Sequence, residues 1–543
     1  MQDGDAFLGV ARSASGRLWR RRACDERLGL AISQRLGLSD LMGQLLAARG
    51  QTLESAASYL EPRLRDLMPD PARFKDMAAA ASRLADAIGA GEQIAIFGDY
   101  DVDGATSTAL LTRFLRAAGA KPPVVYVPDR MKEGYGPNAA AMAQLKEEGA
   151  RLVVTVDCGI TAFAPLAAAK ECGLDVIVVD HHVAEPHLPA AVAVVNPNRL
   201  DEDEGFGQLA AVGVAFLVVV ALNRTLRQRG HYTPARPEPD LLQWLDIVAL
   251  GTVADVVPLT GINRALVAQG LKVMAARGNA GLVALSEVAR INERPSAYHA
   301  GFLLGPRVNA GGRVGRSDLG ARLLATDDLA EARALAAELD ALNTERRAIE
   351  TGVLEGAIAA AEAQAGTSPY LIFATGHDWH PGVIGIVAGR LKERYQRPAC
   401  VIALENGIGK GSGRSVGNIH LGNAIIAARE AGIIEKGGGH AMAAGFEVAE
   451  ERLADLQAFL AARFDTHMNG ERLIPVLDLD AAIQPRAATT DFVTSLERMG
   501  PFGAGNAEPR FALPEVRLAF ADIVGGAHLR LQIEGADGAR LKA

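Results

Sequence analysis

The residues able to hold a cation stand at the ends of three apolar runs. Ile94-Ala95-Ile96-Phe97 leads into Gly98-Asp99-Tyr100-Asp101-Val102-Asp103-Gly104. Leu152-Val153-Val154-Thr155-Val156 leads into Asp157-Cys158-Gly159, and Val176-Ile177-Val178-Val179 into Asp180-His181-His182. Short β-branched runs bounded by Gly and separated by helical stretches read as buried parallel strands. Ligands of an open parallel sheet bind beyond the carboxyl ends of its strands, so these acids and imidazoles converge on one rim. Asp101 and Asp103, two apart in a Gly-flanked turn, can reach one centre or bridge two. Asp-x-Asp-Gly is also ordinary turn composition, and it is Asp157 and His181 that give it weight. Buried without cationic neighbours, such groups are costly. A divalent cation removes that cost, and mixed carboxylate and imidazole ligation points to Mn²⁺ or Mg²⁺ rather than a thiolate zinc site. The rim is therefore expected to hold metal, as a two-ion centre. Asp255, among apolar residues and followed by Pro258, is a further acidic position, with a helix-capping role as the alternative.

The elements that must position these groups follow from the alternation over residues 92–260. Helices are expected at 107–118, 139–148 and 162–172, with a further strand at 124–127. Residues 210–222 are nearly all apolar but too short for a membrane span, so a buried helix is expected there. A Pro-rich loop, 234–239, precedes 241–250. This is βαβ arithmetic and predicts a doubly wound sheet. Leu41, Leu45 and Leu46, then an Ala-rich helix over 79–88, make residues 1–90 a helical packing layer. Residues 327–365 read as a long helix joining two lobes. A second α/β unit runs from Tyr370 to about 465, and shorter alternating segments after about 471 read as a small β-barrel. The fold class is thus α/β. Its predicted divisions are 1–90, a catalytic lobe 91–325, a connecting helix 326–367, a second lobe 368–467 and an OB-type barrel 468–543.

Three further stretches narrow the chemistry. Gly305 to Arg313 places Arg307, Asn309 and Arg313 in a glycine-rich loop, and Gly409 to Ser415 does the same for Ser412 and Arg414. Gly437-Gly438-Gly439-His440 adds a glycine turn with a polar tip. Glycines allow close backbone approach and Arg forks suit phosphate oxygens. The three together are expected to form a phosphate-binding wall facing the acidic rim.

The totals set bounds. At 543 residues the chain is too long for one core. A net charge of −8 argues against a surface coated in basic groups, though a local basic groove with bound dications still attracts phosphate. The acidic start Met1-Gln2-Asp3-Gly4-Asp5 carries no secretory signal, and no membrane span is expected. Cys24, Cys158, Cys172 and Cys400 lack metal-ligand spacing and read as free thiols of a reducing cytoplasm.

The ordered motifs Gly98 to Gly104, Val156-Asp157-Cys158-Gly159, Asp180-His181-His182 and Gly251-Thr252-Val253-Ala254-Asp255 resemble those of the DHH phosphoesterase family, named for its Asp-His-His triplet. The resemblance implies Asp101, Asp103, Asp157, His181 and Asp255 as metal ligands and His182 beside the scissile phosphate or its water. Asp99 is implied as a ligand or an orienting residue. Some members carry a His four residues before the first Asp, where this chain has Phe97, so one ion has a ligand fewer or Asp99 compensates. The Gly-Gly-Gly-His turn and residues 379–388 resemble the DHH-associated domain. From about residue 30 onward the arrangement is similar to the single-strand-specific DNA exonucleases of this family, and residues 501–509 resemble the loop leading into their oligonucleotide-binding fold. That implies attack near the 5′ end of single-stranded DNA, release of mononucleotides, and a part in DNA repair and recombination. Ser412 and Arg414 would hold the 5′ phosphate, with Arg307 nearby and Arg130 a further candidate. With no Gly-x-x-x-x-Gly-Lys-Ser/Thr loop in the chain, unwinding falls to a partner helicase, with a single-strand-binding protein as a second partner. A monomer is expected, and the last barrel is expected to be incomplete. Alternatives within the family are a nano-RNase, a cyclic-dinucleotide phosphodiesterase or a manganese pyrophosphatase, none of which needs the barrel. From outside catalysis comes a replication-fork scaffold, against which the retained ligand set argues.

Overall fold

The computed structural model describes residues 6–130, 132–203, 205–363, 368–471, 473–526 and 528–543. The acidic start and the last residues of the expected connecting helix (364–367) lie outside them. The chain forms two compact units, Arg21–Leu342 with Asp478–Ala543, and Met1–Arg20 with Asn343–Leu477.

The first unit is built on five parallel strands, β1 (Ile94–Gly98), β2 (Val124–Tyr126), β3 (Leu152–Val156), β4 (Asp175–Val179) and β5 (Ala193–Val195). Their order is β2-β1-β3-β4-β5. β1 and β3 are buried along their whole length, which is why they read as unbroken apolar runs. Side chains alternate between faces. Ile94 and Ile96 pack with Phe114, Val214 and Phe216 on one side, and Ala95 and Phe97 with Met142, Leu145 and Leu166 on the other. Helices therefore cover both faces and the sheet is doubly wound. The chain leaves β1 for β2 on one side and returns to β3 on the other. The crevice at that reversal is where such sheets bind ligands.

Several elements differ from their sequence signals. The helix after β1, α1 (Val102–Ala117), starts at Val102 rather than Ser107, because Asp101 caps it and accepts from the Gly104 N–H at 3.0 Å. Gly104 is there for closeness rather than for a turn, since a Cβ would stand 2.4 Å from the Asp99 carbonyl oxygen. The apolar helix, α2 (Ala211–Gln228), runs past Leu222 and is long and apolar enough by composition to cross a membrane. Its apolar face, with Val212, Val214, Phe216 and Val218, lies in the sheet core. Residues 241–254 form a 3₁₀ turn followed by α3 (Leu245–Ala254), which ends at Asp255. The stretch from Gly305, expected as a loop, is a helix, α4 (Gly305–Val314), entered through a π-helical turn over His299–Leu304. A Cβ at Gly312 would lie 2.6 Å from the Tyr100 carbonyl oxygen, so glycine lets α4 press against the acidic loop.

The N-terminal layer packs Ile32, Met42, Leu45 and Leu46 with Met499 from the C-terminal segment. Tyr59 joins the same seam, with its hydroxyl 2.6 Å from Asn506 and the Arg264 guanidinium 4.0 Å above its ring. The expected barrel is, among the described residues, an open meander of Arg517–Val524, His528–Glu534 and Arg540–Lys542 beside a two-stranded pair, Ala481–Ala482 with Phe511–Ala512.

A 35-residue helix, α5 (Leu329–Ala363), begins in the first unit and ends in the second. The second unit has a mixed sheet of β6 (Ile372–His377), β7 (Ala399–Glu405), β8 (Ile408–Arg414), β9 (Lys436–Gly439) and β10 (Ala443–Ala449), ordered β9-β10-β8-β7-β6. Two expected loops are strands here. In β8, Gly409, Gly411 and Gly413 are buried while Lys410, Ser412 and Arg414 take the other face. A Cβ at Gly411 would sit 2.2 Å from the Phe446 ring, and one at Gly413 would sit 2.6 Å from Leu421. The glycines are space for neighbours, which a local reading cannot tell from turn residues.

Overpacking at such a contact costs about 1–3 kcal/mol. Gly411→Ala is expected to lower stability by that amount in urea unfolding, because Phe446 is only 5% exposed and its ring has no free space to move into.

Candidate metal centre

Three strand ends and one helix end deliver the acids. Asp99, Asp101 and Asp103 follow β1, Asp157 follows β3, and His181 and His182 follow β4. Asp255 closes α3. Each of the triads Asp99–Asp101–Asp157, Asp103–His181–Asp255 and Asp157–His181–His182 has ligand atoms within 4.8 Å of one another. His181 Nε2 lies 3.3 Å from Asp157 Oδ1, 3.7 Å from Asp255 Oδ2 and 4.0 Å from Asp103 Oδ2. The six expected ligands therefore meet in one place, with His182 beside them.

The hydrogen bonds around the cluster aim its lone pairs inward. His181 donates from Nδ1 to the Leu209 carbonyl at 3.0 Å, which leaves Nε2 free to ligate. Burial, and then the charge of His182, hold the His181 imidazole below its ordinary range, so it is neutral. Asp103 accepts from the N–H groups of Ala211 (2.6 Å) and Val212 (2.8 Å) at the start of α2, a helix end that favours a carboxylate. Asp157 adopts φ 59° and Val256, directly after Asp255, adopts φ 62°. Such backbone is uncommon for non-glycine residues and strained for a β-branched one, and it marks functional sites where surrounding packing enforces it.

The electrostatics call for a cation. Burial, then the charge of Asp101, push the Asp99 and Asp157 carboxyls well above the usual range. The same causes push Asp103 up to about 7 against its backbone hydrogen bonds. Burial with Asp103 and Asp101 pushes Asp255 up to about 9. Asp99 Oδ1 and Asp255 Oδ2 are buried without a hydrogen-bond partner. Orphaned hard oxygen donors beside one aimed imidazole suit a Mn²⁺- or Mg²⁺-type ion. Phe97 plays no part in this, since it is fully buried on the far face and stacked on Tyr126 at 5.2 Å. Asp99, by contrast, is in the cluster.

Sequence reasoning passed over Asp180, the first residue of its own triplet. Asp180 Oδ1 accepts from His182 Nδ1 at 2.7 Å and from the His181 N–H, and Oδ2 accepts from the Ile160 N–H at 3.0 Å. Burial raises its carboxyl, but the His182 hydrogen bond and charge outweigh it and the group stays below its ordinary value. For His182 burial lowers, but the Asp180 hydrogen bond and charge prevail and the imidazole is raised. Asn196 donates to the His182 carbonyl at 2.9 Å and Asn198 to that of His181. The Tyr135 hydroxyl donates to the Asp157 carbonyl at 3.0 Å. Asn196-Pro197-Asn198 follows β5, so the strand-end rule that found the acids could have found these too.

The substrate candidates fall in both units. Arg130 lies 5.1 Å over the Tyr100 ring, inside the acidic loop. On α4, Asn309 and Arg313 are half-buried, and the charges of Arg130 and Arg313 both bear on Tyr100. Arg307 is engaged elsewhere, with Nε 2.8 Å from Asp340 and Nη1 2.7 Å from the Leu303 carbonyl. In the second unit Arg414 donates to the Ser412 hydroxyl at 3.2 Å. A Cβ at Gly385, in the first turn of the helix Ile384–Tyr395, would lie 3.0 Å from Ser412 Oγ and 3.1 Å from Arg414 Nη2. Ser412 aligns across the sheet with Gly445, and Gly445 with Gly438. Both glycines face open space, giving a bare backbone floor beside the hydroxyl and guanidinium. Gly439 ends β9 at φ 148°, and His440 follows it, exposed.

A doubly wound lobe with this acid and imidazole rim, followed by a second α/β unit, defines a metal-dependent phosphoesterase class. The chain matches the DHH family, N-terminal domain over residues 93–252, the DHHA1 domain over 368–466 and the RecJ OB domain over 479–543. It belongs to the DHH family. It is 39% identical over 513 residues to the single-stranded-DNA-specific exonuclease RecJ of Dickeya dadantii, covering 93% of this chain and 88% of that one. Its structure is similar to the crystal structure of RecJ from Thermus thermophilus in complex with Mn²⁺, with a TM-score of 0.79 and 32% identity, over 96% of this chain and 73% of that chain. The Mg²⁺ complex of the same protein gives 0.74 and 29%, over 96% and 72%.

A carboxyl whose folded pKa is raised keeps a proton that the unfolded chain releases near 3.8, so protonation favours the fold. In chelator, the contribution of these two carboxyls to stability is expected to be full below about pH 4 and lost as pH rises through about 7 and about 9. Mn²⁺ or Mg²⁺ takes the protons' place, so the cation should raise the thermal midpoint more at about pH 8 than at about pH 5. A flat midpoint in chelator across that range contradicts the charge balance described.

Proposed function

We propose that this chain is a divalent-cation-dependent exonuclease that hydrolyses single-stranded DNA from its 5′ end, releasing mononucleotides during DNA repair and recombination. The observation that carries the reading is the pair of triads Asp99–Asp101–Asp157 and Asp103–His181–Asp255, linked by the 3.3 Å approach of His181 to Asp157. The relatives named above are single-strand-specific exonucleases, and solved structures of one hold Mn²⁺ or Mg²⁺.

Each triad would hold one of two cations, with Asp157 of the first lying 3.3 Å from His181 of the second. Such cations would supply polarisation of the phosphoryl group, a lowered pKa for the attacking water and stabilisation of the departing oxygen. His181 contributes a neutral Nε2, fixed in that tautomer by Leu209. His182, oriented by its hydrogen bond to Asp180, presents its imidazole to a phosphate oxygen or to the attacking water. Arg130 and Arg313, whose charges both bear on Tyr100, neutralise the backbone of the incoming strand, with Asn309 as a further contact. Arg307 is committed to Asp340, and its role is to fix α4.

Ser412, Arg414 and the start of the helix Ile384–Tyr395 receive the terminal 5′ phosphate. The floor of Gly438 and Gly445 admits the sugar-phosphate backbone without a side chain in the way, and His440 borders it. The OB segment holds the downstream strand. The enzyme acts as a monomer in the cytoplasm, downstream of a helicase that opens the duplex and alongside a single-strand-binding protein.

Asp157→Ala removes the ligand of the first triad that also approaches His181 of the second. Manganese-dependent digestion of 5′-labelled single-stranded DNA should fall by more than the about 100-fold that loss of an orienting partner costs, and a variant keeping most of its rate rules out this centre. Arg414→Ala should weaken use of 5′-phosphorylated ends by about 10- to 100-fold, the worth of a charge-assisted hydrogen bond. Ends without phosphate should change little, and an equal loss on both removes Arg414 from the end-binding role. Short RNA and cyclic dinucleotide, digested in parallel, should be the poorer substrates.

A further inference from the structure

On the turn that packs against the end of α3, two aromatic rings stand in water. Tyr298 is 61% exposed and Phe302 is 70% exposed, yet their rings stack on each other with centroids 5.3 Å apart and planes 26° from parallel. Tyr298 precedes the π-helical turn over His299–Leu304 and Phe302 stands within it, while the turn's other face is buried through His299, Ala300 and Leu304. π-Helical turns are rare and occur largely at functional sites. This one lies against the end of α3, the helix that delivers Asp255. A Cβ at Gly301 would be 3.2 Å from Val253, and one at Gly305 would be 3.3 Å from Ala254. Val256, next after Asp255, is itself 69% exposed. An apolar surface of this kind needs a partner, and the only occupant the reaction brings to the rim of the centre is the strand being cut.

We propose that Tyr298 and Phe302 form a stacking platform for a base of the single strand next to the scissile phosphate. This rests on the nuclease reading above. Two stacked rings extend naturally to a third flat surface, and every base offers one, so the platform holds the strand without reading its sequence. Aromatic residues make up 5% of the chain, so base stacking is concentrated at few places rather than spread along the groove. The platform positions the strand and takes no part in the chemical step.

The test is steady-state hydrolysis of a single-stranded DNA oligonucleotide with Mn²⁺ by the full chain and by Phe302→Ala, Phe302→Leu and Phe302→Trp. Loss of one stacked base corresponds to about tenfold in binding, so Phe302→Ala should raise KM about tenfold while kcat changes far less. Phe302→Trp should restore KM, and Phe302→Leu, which keeps apolar bulk but has no π-face, should not. In strands made resistant by phosphorothioate linkages, 2-aminopurine placed at successive positions should be quenched at one of them, and that quenching should be lost in Phe302→Ala. Residues this exposed leave the fold intact when truncated, so thermal midpoints should agree across the set. An unchanged KM, a Leu variant equal to the unsubstituted chain, or no position whose emission depends on Phe302 overturns the platform. An unsubstituted chain that leaves single-stranded DNA intact overturns the nuclease reading itself, a result distinguishable from the other three.

Discussion

The structure is organised around negative charge that the chain by itself cannot neutralise. Five aspartates and an imidazole are gathered where the order of a parallel sheet reverses, with Asp99, Asp103 and Asp157 removed from water and the others half-buried. Carboxylates packed that closely resist ionising together, as the raised values of Asp103 and Asp255 record. The fold tolerates this because its backbone donors are spent on the same groups. The start of α2 binds Asp103, the Gly104 N–H binds Asp101, and Asp180 gathers four donors of its own. What remains unsatisfied is aimed inward, at the volume a divalent ion fills.

Around that centre, rigidity comes from unlike sources. The strands are fixed by burial on both faces and the imidazoles by Asp180 and by carbonyl acceptors. The acidic loop is fixed by glycines that let α1 and α4 press on it. A metal site needs its ligands held within fractions of an ångström, and here no ligand depends on a flexible side chain, since Asp and His are short.

Much of this was legible in the sequence. Strands buried on both faces are apolar along their length, and chemistry follows their carboxyl ends, so Asp99, Asp101, Asp103, Asp157 and His181 could be placed without coordinates. Asp255 was a fitting acidic position with helix capping as its alternative; it does stand at the end of α3, and it lies in the cluster as well. The glycines misled. Gly104, Gly312 and Gly411 look locally like turn residues, but each makes room for a neighbour. For Gly312 and Gly411 that neighbour is far off in the chain, where a linear reading cannot see it. Asp180 was missed for the opposite reason: it looks like a ligand, and its work is to hold the ligands' neighbours. The C-terminal strands carried the right alternation, but how they pair is set by register and not by pattern.

One consequence follows from how widely the ligands are dispersed. They are contributed from Asp99 through Asp255, and β3, which carries Asp157, joins the sheet between strands made before and after it. No fragment ending short of Asp255 can assemble the complete cluster, so on a growing chain the site cannot form until most of this lobe has been made.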